Sequence, residues 1–297
     1  MARKIAIIGT NGQLGHDLLR RMSKDSSLTL FPLSHAQIEI TNPHSIKDAF
    51  HRIRPDIIIN AAAYNKVDEI EKSPVKAYEI NALANKYLAI YCRENDVLLV
   101  HISTDYVFGT DTNRTIPYQE SDLPGPVNAY GISKLSGEYF VRGYCQKYFI
   151  LRTCGLFGIA TSSGKGGNFV TNILQIAKGK KEISVVNDQI VSPTYTYDLA
   201  KQIVHLLETD AYGLYHATSE GQCSWYEFTK KIFTLTKTTT VVKPIPSSAY
   251  KTLAKRPGYS VLENANLKKI HKNIMRNWQE GLEDYLREKG LLHASHK

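Results

Sequence analysis

Cysteine is scarce and scattered. Cys92, Cys145, Cys154 and Cys223 are the four in 297 residues, with no C-x-x-C pair and no His-rich segment beside them. That spacing excludes a zinc ribbon and a disulfide framework, and no cluster of ligands for a metal stands out elsewhere. Apolar runs are short: none approaches the roughly 18 residues of a membrane-spanning helix. Residues 5–9, after Met-Ala-Arg-Lys, are too few for the core of a secretion signal. A reducing cytoplasm is therefore the expected setting, with no membrane partner. Acidic residues are the minority, 28 Asp and Glu against 37 Lys and Arg for a formal net charge of +9, and residues 241–297 hold 11 basic against 5 acidic side chains. No aromatic-interleaved basic stripe or DNA-reading motif accompanies that charge, so a nucleic-acid partner is not expected, while a modest positive field suits a small anionic substrate. Internal repeats are missing too, and the Thr- and Lys-rich segment 234–240 reads as a loop.

What is present is a core. Hydrophobic residues make up 42% of the chain and charged residues 22%, enough for one large or two modest domains. Short β-branched runs at 4–8, 28–33, 56–60, 98–103 and 148–151 alternate with helix-period segments at 45–54, 77–94 and 129–144. Strands buried on both faces read as unbroken apolar runs, and β-helix-β alternation predicts an α/β fold with a doubly wound parallel sheet. After Thr153 the elements shorten: a Gly-rich stretch at 164–167, a helix over 168–177, a strand over 183–186 and a helix near 198–207. The expected division is residues 1–153 as a dinucleotide-binding domain and 154–297 as a smaller, mainly substrate-binding lobe, with some segments crossing back to the first domain.

Between the first strand and the first helix lies Gly9-Thr10-Asn11-Gly12-Gln13-Leu14-Gly15. Glycines at this spacing permit a tight turn, a close backbone approach to a pyrophosphate and close helix-to-strand packing, with the helix N-terminus facing the diphosphate. This predicts a Rossmann-type fold. The second strand ends in Leu33-Ser34-His35 rather than in an acid, so no carboxylate there repels a 2′-phosphate. NADPH is expected, with NADH left open.

Tyr130 and Lys134 lie four residues apart in a helical stretch and so share a face. A neighbouring ammonium helps a phenol exchange its proton near neutral pH. Alone, such a pair is a common surface pattern. Here the fourth strand runs straight into Thr104-Asp105-Tyr106, at the carboxyl end where open parallel sheets place their chemistry. Thr104 would hydrogen-bond a carbonyl oxygen, Tyr130 would give it a proton, and a nicotinamide would supply hydride.

With these residues in view, the chain resembles the dTDP-4-dehydrorhamnose reductase family of extended short-chain dehydrogenase/reductases over nearly its whole length. The likeness rests on GTNGQLG at 9–15, Arg54-Pro55-Asp56, Asn60 to Tyr64, Asn81-Ala82, His101 to Phe108, Tyr130-Gly131 with Ser133-Lys134-Leu135, Leu151-Arg152-Thr153, Gly167-Asn168-Phe169, Ser192-Pro193-Thr194, Ser224-Trp225-Tyr226 and Arg256-Pro257. The resemblance implies that Thr104, Tyr130 and Lys134 are the catalytic trio. It implies that Gly12, Gln13 and Leu14, within the loop of Gly9, Asn11 and Gly15, hold the pyrophosphate. Ser34, His35, Glu39 and Ile40 would lie at the adenosine end, and Ala61, Ala62, Ala63 and Tyr64 along the ribose and nicotinamide, with Tyr130 and Lys134 also meeting the cofactor. Thr104, Asp105 and Tyr130 would touch the sugar. Asn168 and Phe169 would close over it, although an N-cap is the cheaper explanation for Asn168, and Arg256 would reach a diphosphate bidentately.

The implied reaction is reduction of the C4 ketone of a dTDP-linked 4-keto-6-deoxy sugar to dTDP-L-rhamnose, for cell-surface polysaccharide precursors. Tyr106 after Asp105 removes the Asp-Glu pair that marks the related dehydratases. Two further readings stay open: a non-catalytic NADP-binding regulatory subunit, like the β subunit of methionine adenosyltransferase, and a nucleotide-sugar epimerase. A homodimer is also left open. The chain departs from the family at Cys154-Gly155, where many members carry Ser-Trp, and at 258–262. His101 and the pair Trp225-Tyr226 read as packing residues.

Overall fold

The computed structural model describes residues 2–160 and 166–292; Gly164 and Lys165 of the glycine stretch lie outside them. The first part of the chain runs β1 (Arg3–Ile8), α1 (Gln13–Met22), β2 (Leu28–Leu33), α2 (Pro43–Ile53), β3 (Ile57–Asn60), α3 (Val67–Lys72), α4 (Val75–Tyr78), α5 (Ala84–Glu94), β4 (Leu98–Thr104), α6 (Ala129–Tyr144) and β5 (Tyr148–Thr153). The remainder runs β6 (Leu156–Phe157), α7 (Phe169–Ala177), β7 (Glu182–Val186), β8 (Ile190–Val191), β9 (Thr194–Tyr195), α8 (Thr196–Leu206), β10 (Gly213–His216), β11 (Cys223–Ser224), α9 (Trp225–Thr236), β12 (Val241–Ile245), α10 (Ala265–Lys269) and α11 (Trp278–Glu288).

Six strands form one parallel sheet in the order β10-β5-β4-β3-β1-β2. The chain leaves β1 toward β2 on one side and returns to build β3, β4 and β5 on the other. That reversal opens a crevice at the carboxyl ends of β1 and β3. β3 and β4 are buried at every residue, which is why their sequences show no alternation. Pro32 sits in β2, an edge strand, where its missing amide breaks no central ladder. One face of the sheet is covered by an aliphatic cluster that includes Ile5, Ile7, Leu18, Val100, Leu199 and Ile203, the other by one that includes Ile8, Phe50, Ile58, Leu88, Leu99 and Ile150.

The sixth strand, β10, comes from beyond Thr153, and so does α8, which packs on α1. Thr196 at the head of α8 donates to the buried Asp17 of α1. The other late strands pair in twos, β6 with β9, β7 with β12 and β8 with β11. They surround a third cluster rich in aromatics, with Phe157, Tyr195, Phe228, Trp278 and Tyr285 in mutual ring contact. Among the described residues no helix is long and apolar enough to cross a membrane.

Two local expectations are refined. The segment 77–94 is helical throughout but not uniformly α: a π turn over Glu79–Leu83 joins α4 to α5. The Asn81 amide donates to the Tyr64 carbonyl at 2.8 Å and to the Ser133 hydroxyl at 3.0 Å, and its oxygen accepts the Tyr64 N–H at 2.9 Å. These bonds draw the backbone out of α-helical register, as at many functional bulges. The segment 234–240 is only in part a loop, since α9 continues through Thr236 and ends at Lys237 in a left-handed conformation.

Candidate active site

The turn between β1 and α1 depends on missing side chains. Gly9 has φ +83°, a left-handed conformation that other residues resist, and a Cβ on Gly15 would stand 2.3 Å from the Gly9 carbonyl oxygen. Gly12 caps α1 in extended conformation with no side chain to take up the first amides. The positive end of a ten-residue helix therefore opens into the crevice. A cradle of this shape fits the diphosphate of a dinucleotide.

A cleft of about 950 Å³ runs from this turn across both parts of the molecule. At one end it is lined by Ser34, His35, Glu39 and Ile40, and past the glycine turn by Ala61, Ala62 and Ala63. Ser34 bonds to Gln37. Glu39 accepts the Thr41 N–H at 3.0 Å and hydroxyl at 2.7 Å, and the backbone bond is the main reason its carboxyl titrates below the usual range. Lys76 lines the same stretch. Tyr64 does not line the cleft. Its hydroxyl donates to Glu69 at 3.0 Å and its ring lies under the Lys76 ammonium, 5.3 Å from the ring centroid, so the side chain is committed away from a cofactor. Gln13 also has a second role: its amide oxygen accepts the Gly158 N–H at 2.6 Å and the Asn168 amide at 3.2 Å, leaving its backbone to face an anion.

Midway along the cleft stand Thr104, Tyr130 and Lys134. Thr104 ends β4, caps the short turn Asp105–Val107 and donates to Asp105 at 3.0 Å. Asn128 caps α6 by accepting the Gly131 N–H at 2.8 Å, which fixes where the helix starts and so brings Tyr130 and Lys134 to one face. A Cβ on Gly131 would be 2.1 Å from the Tyr106 carbonyl oxygen, so the head of α6 presses directly on the turn after β4.

The electrostatics follow from burial. Burial raises the Tyr130 phenol above the ordinary tyrosine value, the Asp105 carboxyl pushes the same way, and the Thr104 hydroxyl opposes them. Burial lowers the Lys134 ammonium to about 8 against the pull of Glu138, and its Nζ donates to the Ile102 carbonyl at 2.6 Å. Tyr130 is thus held as the neutral acid, and no lowering of its pKa by Lys134 is seen. Asp105 is buried, raised by that burial, and receives bonds from Thr104, from the Ser260 hydroxyl at 2.6 Å and from the Cys154 thiol at 3.2 Å.

The far wall comes from the second part of the chain: Cys154, Gly155, Asn168, Phe169, Val191 and Trp225. Asn168 is both N-cap and wall. It forms a capping box with Thr171, and its amide reaches the Gly158 carbonyl at 2.9 Å and the Tyr285 hydroxyl at 3.1 Å. Trp225 lines the cleft as well as packing, with its ring centroid 4.5 Å from that of Phe169. A Cβ on Gly155, at φ +52°, would lie 3.3 Å from the Trp225 ring. Arg256 is not among the lining residues. It pairs with Asp68 at 2.8 Å and donates to the Ala254 carbonyl at 3.2 Å, so a diphosphate would first have to displace Asp68. His101 is fully buried and none of the described residues bonds to its ring nitrogens.

From the sequence, Cys154 and Ser260 stood out only as departures from the family, at 154–155 and 258–262, and Trp225 only as packing. Cys154 follows a strand end, which was a usable signal; Ser260 and Trp225 arrive through long connections.

A doubly wound parallel sheet with a glycine turn after its first strand, a hydroxyl at the end of its fourth and a Tyr-x-x-x-Lys helix beside it defines an extended short-chain dehydrogenase/reductase. The chain belongs to the RmlD substrate binding domain family, whose model matches residues 3–290. It is 36% identical over 286 residues to the spore coat polysaccharide biosynthesis protein SpsK of Bacillus subtilis, covering 96% of this chain and 98% of that protein. It is 33% identical over 297 residues to dTDP-4-dehydrorhamnose reductase of Escherichia coli, covering 96% and 97%. The crystal structure of dTDP-4-dehydrorhamnose reductase from Bacillus anthracis in complex with NADP superposes with a TM-score of 0.91 at 40% identity, covering 97% of this chain and 100% of that one.

Proposed function

We propose that this protein reduces the C4 ketone of dTDP-4-dehydro-L-rhamnose, with NADPH as reductant, to dTDP-L-rhamnose for cell-surface polysaccharide precursors. The observation that carries the reading is the meeting of Thr104, Tyr130 and Lys134 with the glycine turn in one cleft. Relatives that align end to end bear the name of that reductase, and one of them was crystallised with NADP.

The backbone of Gly12, Gln13 and Leu14 at the open N-terminus of α1 would hold the diphosphate of the cofactor, and Ala61 to Ala63 would flank its ribose. When bound, reduced nicotinamide supplies a hydride to the carbonyl carbon. Tyr130, kept protonated by its burial, donates its proton to the carbonyl oxygen, and the Thr104 hydroxyl hydrogen-bonds that same oxygen. The Lys134 ammonium offsets the charge left on the phenol. Asp105 is held by hydroxyls and a thiol from three segments and would so stand fixed beside the sugar. Asn168, Phe169 and Trp225 form the opposite wall. Action in the cytoplasm belongs to the same reading, and assembly into a homodimer is measured by light scattering.

The test is oxidation of NADPH, followed by absorbance, on adding dTDP-4-dehydro-L-rhamnose, with the sugar product identified by chromatography. Oxidation yielding dTDP-L-rhamnose is expected. Binding of NADPH without turnover of this or any related keto-sugar would overturn the reading in favour of a non-catalytic subunit, and interconversion of sugars without net oxidation would favour an epimerase.

A further inference from the structure

Beneath the catalytic helix lies an ion pair that the reaction does not touch. Glu138, one helical turn beyond Lys134 on α6, is 1% exposed, and so is Arg152 on β5. The guanidinium meets the carboxylate with two bonds, Nε to Oε1 at 2.9 Å and Nη2 to Oε2 at 2.7 Å, and lies 5.1 Å from the Phe108 ring centroid. The Ser103 hydroxyl of β4 donates to the same carboxylate.

A buried ion pair is a poor source of stability, because removing two charges from water costs about as much as their attraction returns. Its value lies in direction. Ser103 pairs in register with Arg152, and Thr104 with Thr153, so the pair clamps β4 to β5 at the rim of the cleft, which Ser103, Thr104 and Thr153 line. The Lys134 Nζ in turn bonds the carbonyl of Ile102, the residue before Ser103.

We propose that Glu138, Arg152 and Ser103 are positioning residues, a buried clamp that fixes the helix carrying Tyr130 and Lys134 to the strand carrying Thr104. The proposal rests on the catalytic reading of those three residues. Besides setting distance, Glu138 is, among the described residues, the charge that pulls Lys134 toward its ammonium form against burial. Of the other ionisable groups that face this part of α6, Tyr106 is buried against Tyr130 and held protonated. Tyr130 is held protonated, His101 on β4 is kept uncharged by burial, and Asp105 is bound by Thr104, Cys154 and Ser260. Glu71 on α3 accepts the Ala129 N–H, and Lys86 on α5 lies by the Phe140 and Tyr144 rings.

The experiment compares three variants. In Glu138→Leu with Arg152→Met both charges go together, so the core stays neutral and no orphaned charge is left to unfold it. Thermal melting is expected to stay within roughly 5 °C of the parent. The kcat is expected to fall about tenfold or more, as misplaced catalytic groups do, with KM for the sugar changed less than kcat and NADPH binding, followed by fluorescence, retained. The alkaline fall of the pH–kcat profile is expected to move to lower pH. Ser103→Ala keeps the ion pair and removes only its tie to β4; kcat is expected to drop several-fold with the alkaline limb in place. If the double variant does not fold, Ser103→Ala decides alone, and parental kcat there overturns the clamp. Parental kcat and pH profile in a folded double variant do the same. Tyr130→Phe is measured in parallel: full activity in that variant overturns the catalytic reading itself, whereas its loss beside parental behaviour of the clamp variants overturns only the clamp.

Discussion

The two parts of the chain build their shares of the cleft from different materials. Up to Thr153 the site is made of backbone and strand ends: a glycine turn, an open helix terminus, a threonine where β4 stops. The packing behind it is aliphatic, with Ile, Leu and Val on both faces of one continuous sheet. Past Thr153 the site is made of side chains, Asn168, Phe169 and Trp225, held by pairs of short strands around an aromatic cluster. A continuous sheet fixes backbone to the tolerance that phosphate binding and proton transfer need. Large rings on short elements shape a wall that can differ between relatives while the chemistry stays put, as the departure at Cys154-Gly155 illustrates.

That contrast predicts that changes in the first part damage turnover and cofactor binding, and changes in the second part damage sugar affinity. The largest effect belongs to Tyr130→Phe, which removes the proton donor and is expected to lower kcat by roughly 10²–10⁴ while NADPH still binds. Residual activity within tenfold of the parent would sink the role given to it. Next is Gly15→Val. Its Cβ has no room against the Gly9 carbonyl, so a loss of about 1–3 kcal/mol in stability is expected together with NADPH affinity, read by denaturant melts and fluorescence titration.

The pH dependence comes third. Because burial lowers Lys134 to about 8, its ammonium is present below that value and disappears as pH rises through it. The kcat should therefore fall about tenfold per unit on the alkaline side, and Lys134→Arg, which keeps its charge, should lose that limb whatever its overall rate. Asn168→Ala, in the second part, removes an N-cap worth about 1 kcal/mol and the link to Gln13. Its expected mark is a several-fold rise in KM for the sugar with kcat nearly kept; an equal fall in kcat would erase the distinction between the two parts. The smallest effect is expected from Arg256→Ala. Its partner Asp68 is 43% exposed, so the pair is worth at most about 1 kcal/mol, and KM should move by less than about threefold. A tenfold rise would show that Arg256 leaves Asp68 to meet the diphosphate.

Most of the sheet was legible because its strands are buried on both faces and its glycine turn is local. The helical segment 77–94 was legible, but its π turn was not, because helical period says nothing about Asn81 bonding outward to Tyr64 and Ser133. Tyr64 was placed beside a cofactor by the family resemblance, but its hydroxyl turns to Glu69 and its ring lies under the Lys76 ammonium, partners the fold brings to it. Trp225 read as packing because it opens an apolar helix, and only the course of α9 past Phe169 shows that the ring also faces the cleft.

The sequence alone determined the groups that act within one turn of helix or at one strand end: the Gly9–Gly15 spacing, the four-residue step from Tyr130 to Lys134, and Thr104 at the end of a mostly apolar run. Their geometry is set by backbone periodicity, which a linear string records. The tertiary structure decided what each of them faces. Ser260 reaches Asp105 across 155 positions and Thr196 reaches Asp17 across 179. Asn168 meets Gln13 across 155, and Arg152 closes on Glu138 beneath the catalytic helix. Burial of polar side chains can be foreseen from pattern. Their partners cannot, because a buried donor bonds to whichever acceptor chain closure delivers, and that choice is made by the packing of distant segments.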